Sequence, residues 1–340
     1  MKRVKSNILL WGLCALFIVM VVWNENVSAA AYDGVGLCLR VVIPSLFPFF
    51  VICTYFNSAL SQFNFTILRI LGRFCRIPKG AEYLLVTGLL GGYPIGAQCI
   101  TKCSANKEIS SEQAERMLGF CSNAGPAFIF GMLSSQFPNI NTLWLLWGIQ
   151  IATSVLIGHY LPSSGERMRS SEIVCTNISL SSALERSIKG IAIVCGWVIL
   201  FKIINTSIMT HINTKNTLIP TLLSGALELV SGCAKLTSIT SIGLRFIVAS
   251  AFLSFGGICV QMQTISVTQG LRKRTYIIGK LLQTCLSIIL ATAIQFIVFP
   301  PEWRYCPDVL PLGICSCILS LTVITFFRKS SRFSVPSVIQ

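Results

Sequence analysis

The sequence is poor in charge. Only 11% of its 340 residues are Asp, Glu, Lys or Arg, and just 12 are acidic. A soluble domain carries about 25% charged residues. A water-soluble chain of this length would need far more polar surface, so the deficit excludes a soluble enzyme and implies membrane embedding. Histidine is nearly absent, with His159 and His211 alone. No nucleophile–base pair stands out, and no Gly-x-x-x-x-Gly-Lys-Ser/Thr phosphate loop is present. An enzyme is therefore not expected, and no catalytic residue is assigned. The 15 cysteines include no Cys-x-x-Cys pair; Cys99 with Cys103 and Cys315 with Cys317 are the nearest. A zinc site needs clustered ligands at fixed spacing, so neither a metal site nor a cofactor is expected. The cysteines read as small apolar packing residues, and their free use argues against a secreted disulfide scaffold.

What the chain has instead is apolar sequence: 53% hydrophobic residues and a mean hydropathy of +0.73. A hydrocarbon core about 30 Å thick takes ~20 apolar residues per helical crossing, which leaves room here for roughly eight segments and short loops. The formal charge of +15 sits between those segments, at Lys2, Arg3 and Lys5, at Arg69, Arg73, Arg76 and Lys79, at Arg272 to Arg274, and at Arg328, Lys329 and Arg332. Short basic loops stay cytoplasmic and set orientation, so both termini and the loop at 271–274 are expected inside. The basic loops fit contact with anionic lipid headgroups, not nucleic acid.

The expected fold is all-α, a polytopic transmembrane helix bundle with broken or re-entrant helices and two repeat halves. Residues 1–30 carry Lys2-Arg3-Val4-Lys5 and then Ile8 to Trp23, a pattern shared by a first transmembrane helix and by a signal peptide cleaved near Ser28-Ala29-Ala30. The membrane character of the rest favours the uncleaved helix. The first half is 31–161, a polar linker follows at 162–187, the second half is 188–327, and a polar tail closes the chain at 328–340. Pro44 and Pro48 should kink the helix over 31–56. Residues 63–79 read as an interfacial amphipathic helix. Ser110 with Gln113 forms a capping-box pattern that starts the next helix. Glycines at 88, 91, 92 and 96 with Pro94 interrupt the run 83–100, which suits a re-entrant hairpin or a broken helix. Asn123-Ala124-Gly125-Pro126 interrupts the run 118–133.

Leu90 to Gln98 can be laid on Phe255 to Gln263, matching Gly91 with Gly256, Gly92 with Gly257 and Gln98 with Gln263. Discontinuous helices in duplicated halves are the best sequence pointer to a transporter binding site. The candidate substrate-binding residues are therefore Gly91, Gly92, Tyr93, Pro94, Gln98, Ser122, Asn123, Gly125, Gly256, Gly257, Gln261 and Gln263. Close helix packing is the competing account of the glycines; Pro94, which packing does not need, favours an unwound segment, and Tyr93 could stack on a planar ligand. Glu228 is the one acidic residue inside an apolar run. An ionisable group there is functional by default, as a coupling or gating residue. The alternative is a neutralised pair with Lys235, seven residues on.

These motifs carry a resemblance. Gly91-Gly92-Tyr93-Pro94-Ile95-Gly96-Ala97, Lys107-Glu108-Ile109-Ser110, Ala114-Glu115-Arg116 and Asn123-Ala124-Gly125-Pro126-Ala127-Phe128-Ile129-Phe130-Gly131 look like the YlbJ (SpoVV) family of sporulation integral membrane proteins. Pro44-Ser45-Leu46-Phe47-Pro48-Phe49-Phe50, Gly225-Ala226-Leu227-Glu228 and Ser254-Phe255-Gly256-Gly257 fit it too, and the likeness covers roughly residues 5 to 300. The resemblance implies a nucleoside-recognition, or Gate, domain. It also implies a role in endospore formation, passage of a small planar anion such as dipicolinic acid, and a place in the outer forespore membrane. Nucleoside or other small-solute transport, or a membrane scaffold for sporulation proteins, are the rival readings. The expected partners are the lipid bilayer, the small anionic solute, and further copies of the chain or other sporulation membrane proteins.

Overall fold

The computed structural model describes residues 24–60, 66–162, 179–212 and 217–304. The expected span at 7–23, the closing span at 310–327, the tail and linker positions 163–178 lie outside them. Among the described residues the structure is helical, with no strand. Five helices are long and apolar enough to cross a membrane: Val27–Tyr55, Ile140–Tyr160, Leu180–Met209, Ile242–Val267 and Arg274–Val298. They carry exposed Leu39, Ile52, Ile193, Leu281 and Ile297, a surface suited to lipid.

The first crossing is built from α1 (Asn24–Leu37), a π-helical turn (Cys38–Val42) and α2 (Ile43–Leu60). Pro44 has no N–H to give the helix ladder. The widened turn lies directly before it, and the Ser45 hydroxyl donates to the Val41 carbonyl at 2.6 Å. Pro48 is carried within α2. Next comes α3 (Thr66–Phe74), a short helix with Arg69 and Arg73 on its polar side.

Two helices then double back. α4 (Tyr83–Leu90) and α5 (Ile95–Ala105) would extend only about 12 and 16 Å at 1.5 Å per residue, too short for a crossing of about 30 Å. They pack on each other, close enough that a Cβ on Gly96 would lie 2.8 Å from the Gly88 Cα. This is a hairpin, with its tip at Gly91–Pro94. A broken helix follows: α6 (Ser111–Leu118), a non-helical joint through Gly125, and α7 (Pro126–Met132). The capping box is present, with Gln113 N–H donating to Ser110 Oγ and Ser110 N–H to Gln113 Oε1. α8 (Ile140–Tyr160) closes the first half.

The second half repeats this order without a counterpart of α3. α9 (Leu180–Met209) is a long helix, and α10 (Leu218–Leu227) and α11 (Leu229–Ala234) form a second hairpin. Here a Cβ on Gly232 would collide with the Gly225 backbone. α12 (Ile242–Phe255) and α13 (Gly257–Val267) are one crossing broken at Gly256, and α14 (Arg274–Val298) is the last described helix. Corresponding elements start at a near-constant separation: 137 for α9 and α2 (180 − 43), 135 for α10 and α4 (218 − 83), 134 for α11 and α5 (229 − 95), 131 for α12 and α6 (242 − 111), 131 for α13 and α7 (257 − 126), and 134 for α14 and α8 (274 − 140).

This corrects the sequence alignment, which set Gly91-Gly92 against Gly256-Gly257 at a separation of 165. By element order, the tip at 91–94 matches the tip at 228, and the joint at 119–125 matches Gly256. The starting helices of the two halves pack together, as do their closing helices, α8 on α14. The crossing 242–267 runs through the centre and is the most buried of the five, while 27–55 is the most exposed.

Candidate functional site

Both hairpin tips and both helix breaks meet at one place. At the first tip, α4 ends with Gly91 N–H bonded to the Thr87 carbonyl, and Gly92 takes φ +70°. That left-handed backbone suits glycine, which has no Cβ to clash. The Tyr93–Pro94 bond is cis, and Pro94 heads α5. Tyr93 is buried, and its hydroxyl donates to the Leu253 carbonyl at 3.1 Å. Gly92 lies against Gly125 of the first break, where an added Cβ would come within 2.9 Å of the Gly125 nitrogen.

The first break is the polar one. Asn123 is fully buried; its Nδ2 donates to the Phe120 carbonyl at 2.8 Å and to Ser154 Oγ at 3.3 Å, and its Oδ1 accepts from Gln283 Nε2 at 2.8 Å. Gln283 Nε2 also reaches Thr153 Oγ1 at 3.3 Å. Lys280 completes the group. Its ammonium, with no exposed surface, donates to the Ser122 carbonyl at 2.9 Å and to Gln283 Oε1 at 2.6 Å, and it sits 5.1 Å from the centre of the Tyr93 ring. Among the described residues this lysine has no carboxylate partner. Such a charge is held by neutral dipoles and a ring face, an arrangement costly to retain in an apolar interior without a use.

The second tip is a single residue. Glu228 leaves the helical region, with φ −142° and ψ 118°, and caps the N-terminus of α11. Its two carboxylate oxygens accept from the amides of Val230 at 2.8 Å and Ser231 at 2.6 Å. It is 1% exposed. The alternative pairing with Lys235 is not formed: Lys235 Nζ donates to Ser224 Oγ at 2.7 Å. Seven-residue spacing puts two side chains on one face only if the helix continues, and here it turns back. The second break lies beside this tip. A Cβ on Gly257 would be 2.9 Å from the Gly225 carbonyl and 3.2 Å from the Leu229 nitrogen, while one on Gly256 would be 3.4 Å from the Tyr93 ring.

These four features enclose a cavity of about 40 Å³, room for roughly three waters. Gly91, Gly92, Tyr93, Gly125, Glu228 and Gln263 line it, with apolar walls from Val42, Leu46, Phe128, Val194, Val198 and Val260. Of the expected substrate residues, Pro94, Ser122, Asn123, Gly256 and Gly257 build its frame without lining it. Gln98 and Gln261 are half-buried and stand away from it. Sequence reasoning missed Lys280 and Gln283. A cation six residues beyond the basic loop reads as part of that loop; the signal that could have found it is Gln283 three positions on, which puts two polar groups on one face of an apolar helix.

No family model matches the chain, and no solved structure matches it. The sporulation integral membrane protein YlbJ of Bacillus subtilis (strain 168) is 26% identical over 339 aligned positions, which cover 83% of this chain and 81% of that protein. This likeness over most of both chains supports the resemblance to the YlbJ family. The structure sorts the motifs of that resemblance by what they do. Gly91–Ala97, Asn123–Gly131, Leu227–Glu228 and Ser254–Gly257 build the tips and breaks. Arg116 is instead a clamp: it is 6% exposed and donates to the carbonyls of Leu161, Arg76, Cys75 and Gly158, tying α6 to the ends of α3 and α8. Cations at helix C-termini satisfy the last carbonyls and the dipole.

Proposed function

We propose that this multi-pass membrane protein is a sporulation-associated transporter that moves a small planar anion, of the dipicolinic acid kind, across the outer forespore membrane. One observation carries the transport reading: two hairpin tips and two helix breaks, one of each from either half, converge on a single cavity. Counted with the hairpins returning to the side they leave, and with the broken helix 111–132 taken as a crossing beside the five long helices, each half crosses three times. An odd number turns the second half over, giving the inverted-repeat plan in which substrate sites lie near the bilayer midplane. The likeness to a Bacillus sporulation integral membrane protein supports the sporulation setting. The apolar walls suit a flat ring, and Tyr93 offers it a ring to stack on; Lys280 stands against Tyr93 without lining the cavity.

At about 40 Å³ the cavity takes water and not a ring, so passage requires its walls to separate. The tip of the second hairpin is the natural moving part. Glu228 holds the Val230 and Ser231 amides with its own carboxylate, and releasing that cap frees α11. Coupling or gating is accordingly assigned to Glu228. The test is uptake of labelled dipicolinate and, separately, of nucleosides into vesicles carrying the purified chain. Dipicolinate uptake above empty vesicles is expected. Uptake of nucleosides alone would replace the substrate, and uptake of neither would leave a membrane scaffold.

A further inference from the structure

A second cleft lies on the far side of the Glu228 cap. It has a volume of about 340 Å³ and is walled by α1, the π-helical turn, α9 and the end of α11. Arg40, Lys202 and Lys235 line it with a single acid, Asp33, a formal charge of +2 (3 − 1). Arg40 and Lys202 belong to spanning helices, where a cation is costly unless it faces water or a partner. None of the three cations makes an ion pair among the described residues. Ser231, 3% exposed, also lines the cleft. Its Oγ lies beside the Glu228 carboxylate without completing a hydrogen bond of normal geometry.

Residues adjacent in the chain line the cleft and the cavity at two places. Val41 lines the cleft and Val42 the cavity; Ser231 lines the cleft, and Val230 the cavity. The two amides held by Glu228 are those of Val230 and Ser231, so the Glu228 cap is the septum. Lys202 lies within electrostatic range of both Glu228 and Lys235.

We infer that this cleft is a recruiting site for small multivalent organic anions, placed outside the closed cavity and separated from it by the Glu228-capped tip of the second hairpin. Its role in transport rests on the function proposed above; its charge selectivity does not. A cationic recess concentrates anions ahead of a narrow passage and raises their capture rate, an effect that weakens with salt. Net charge and volume both suit a dicarboxylate. The same chemistry could be met by the headgroup of an acidic lipid.

Gly36 lines the cleft with open space where a Cβ would stand, so Gly36→Cys places a thiol there without a clash. The full-length variant in phosphatidylcholine nanodiscs is treated with anionic or cationic methanethiosulfonate reagents. Modification of position 36 is followed by peptide mass spectrometry against the unsubstituted chain, with rates normalised to a free thiol. The anionic reagent is expected to react about tenfold faster than the cationic one. That ratio falls towards one at high salt, in Lys202→Gln with Lys235→Gln, and in Arg40→Gln, which alters an exposed residue and tests the same field should the lysine pair fail to insert. Dipicolinate slows modification severalfold, and an uncharged nucleoside does not.

Equal rates for the two reagents overturn the proposal. So does slowing by phosphatidylglycerol to which dipicolinate adds nothing, which would make the cleft a headgroup site. In uptake, the double lysine variant is expected to raise the half-saturation concentration at least fivefold with the maximal rate changed less than twofold. Charge-selective labelling with dipicolinate protection but no uptake would keep the cleft and remove the transport reading. Uptake with charge-blind labelling would do the reverse.

Discussion

The two hairpins have the same plan and opposite chemistry. The first turns through four residues, Gly91 to Pro94, and carries no ionisable carboxylate; the second turns at Glu228 alone. The breaks beside them are reversed. The joint next to the first tip is polar, with Asn123 tied to Gln283 and Lys280 tied to the Ser122 carbonyl. The joint next to the second tip is Gly256-Gly257, with no polar side chain. A neutral tip faces a polar break, and a charged tip faces a bare one. Only the order of the elements is repeated, which separates what the scaffold needs from what the site needs.

The scaffold requirement should give the largest effects. Gly88 with Gly96 and Gly225 with Gly232 let the arms of each hairpin touch backbone to backbone. Gly96→Ala and Gly232→Ala are each expected to destabilise by about 3 kcal/mol, the upper end for overpacking, because the obstructing atoms are backbone and cannot swing aside. Gly148→Ala and Gly196→Ala, where a Cβ meets nothing within 4 Å, should be neutral or slightly stabilising. Thermal unfolding of the four variants in one detergent decides this. Equal losses in both pairs would mean that the hairpins are not held by arm-to-arm contact.

Much of this was legible in the sequence, and the failures share one cause. Low charge and apolar runs gave an all-α membrane protein. Ser110 with Gln113 gave a capping box found as read. The interruptions at Gly91–Pro94, Asn123–Gly125 and Gly256–Gly257 are all real. The pairing between halves was not legible, because Gly92, Gly256 and Gly257 meet the same local demand, a φ of +70°, +79° and +73°. One sits at a hairpin tip and the others at a joint in a continuing helix. Local sequence reports the dihedral, and only tertiary packing reports which of the two it serves. The turn at Glu228 is hard to read for a similar reason: it is made by one non-glycine residue, between Gly225 and Gly232 and at neither of them.

The polar break and the charged tip give intermediate effects of different kinds. Gln283→Leu strips an acceptor from Lys280 and a donor from Asn123, and leaving buried polar groups unpaired should cost about 2–3 kcal/mol. With Lys280→Met already present the same change should cost markedly less, since the ammonium no longer needs the oxygen; additive losses in this double-mutant cycle would break the proposed coupling. Glu228→Gln keeps a side-chain acceptor for one amide of α11 and loses the charge, so a stability loss of about 1 kcal/mol is expected. Dipicolinate uptake should fall more than tenfold. The matching change at the neutral tip, Tyr93→Phe, removes one hydrogen bond to the Leu253 carbonyl and should cost about 1 kcal/mol as well, with uptake kept within threefold. If the two tips lose uptake alike, the carboxylate is not what distinguishes them.

The smallest expected difference compares equivalent helix starts. Ser110 caps α6 and Ser241 caps α12, 131 positions apart (241 − 110), each at the head of the broken crossing of its half. Ser110 Oγ accepts from the Gln113 amide at 3.1 Å, and Gln113 returns a bond to the Ser110 amide at 3.0 Å. Ser241 Oγ accepts from the Leu244 amide at 3.4 Å, near the limit for a hydrogen bond, and position 244, a leucine, has no side-chain acceptor to return one. Ser110→Ala should therefore cost about 1 kcal/mol, and Ser241→Ala only a few tenths. Removing the returning partner with Gln113→Ala should bring the first cap down to the level of the second. Hydrogen exchange at the amides of residues 111–114 and 242–245 reads the two ends separately. Equal protection at both ends in the unsubstituted chain would show that burial of the helix starts, and not the reciprocal cap, sets their stability.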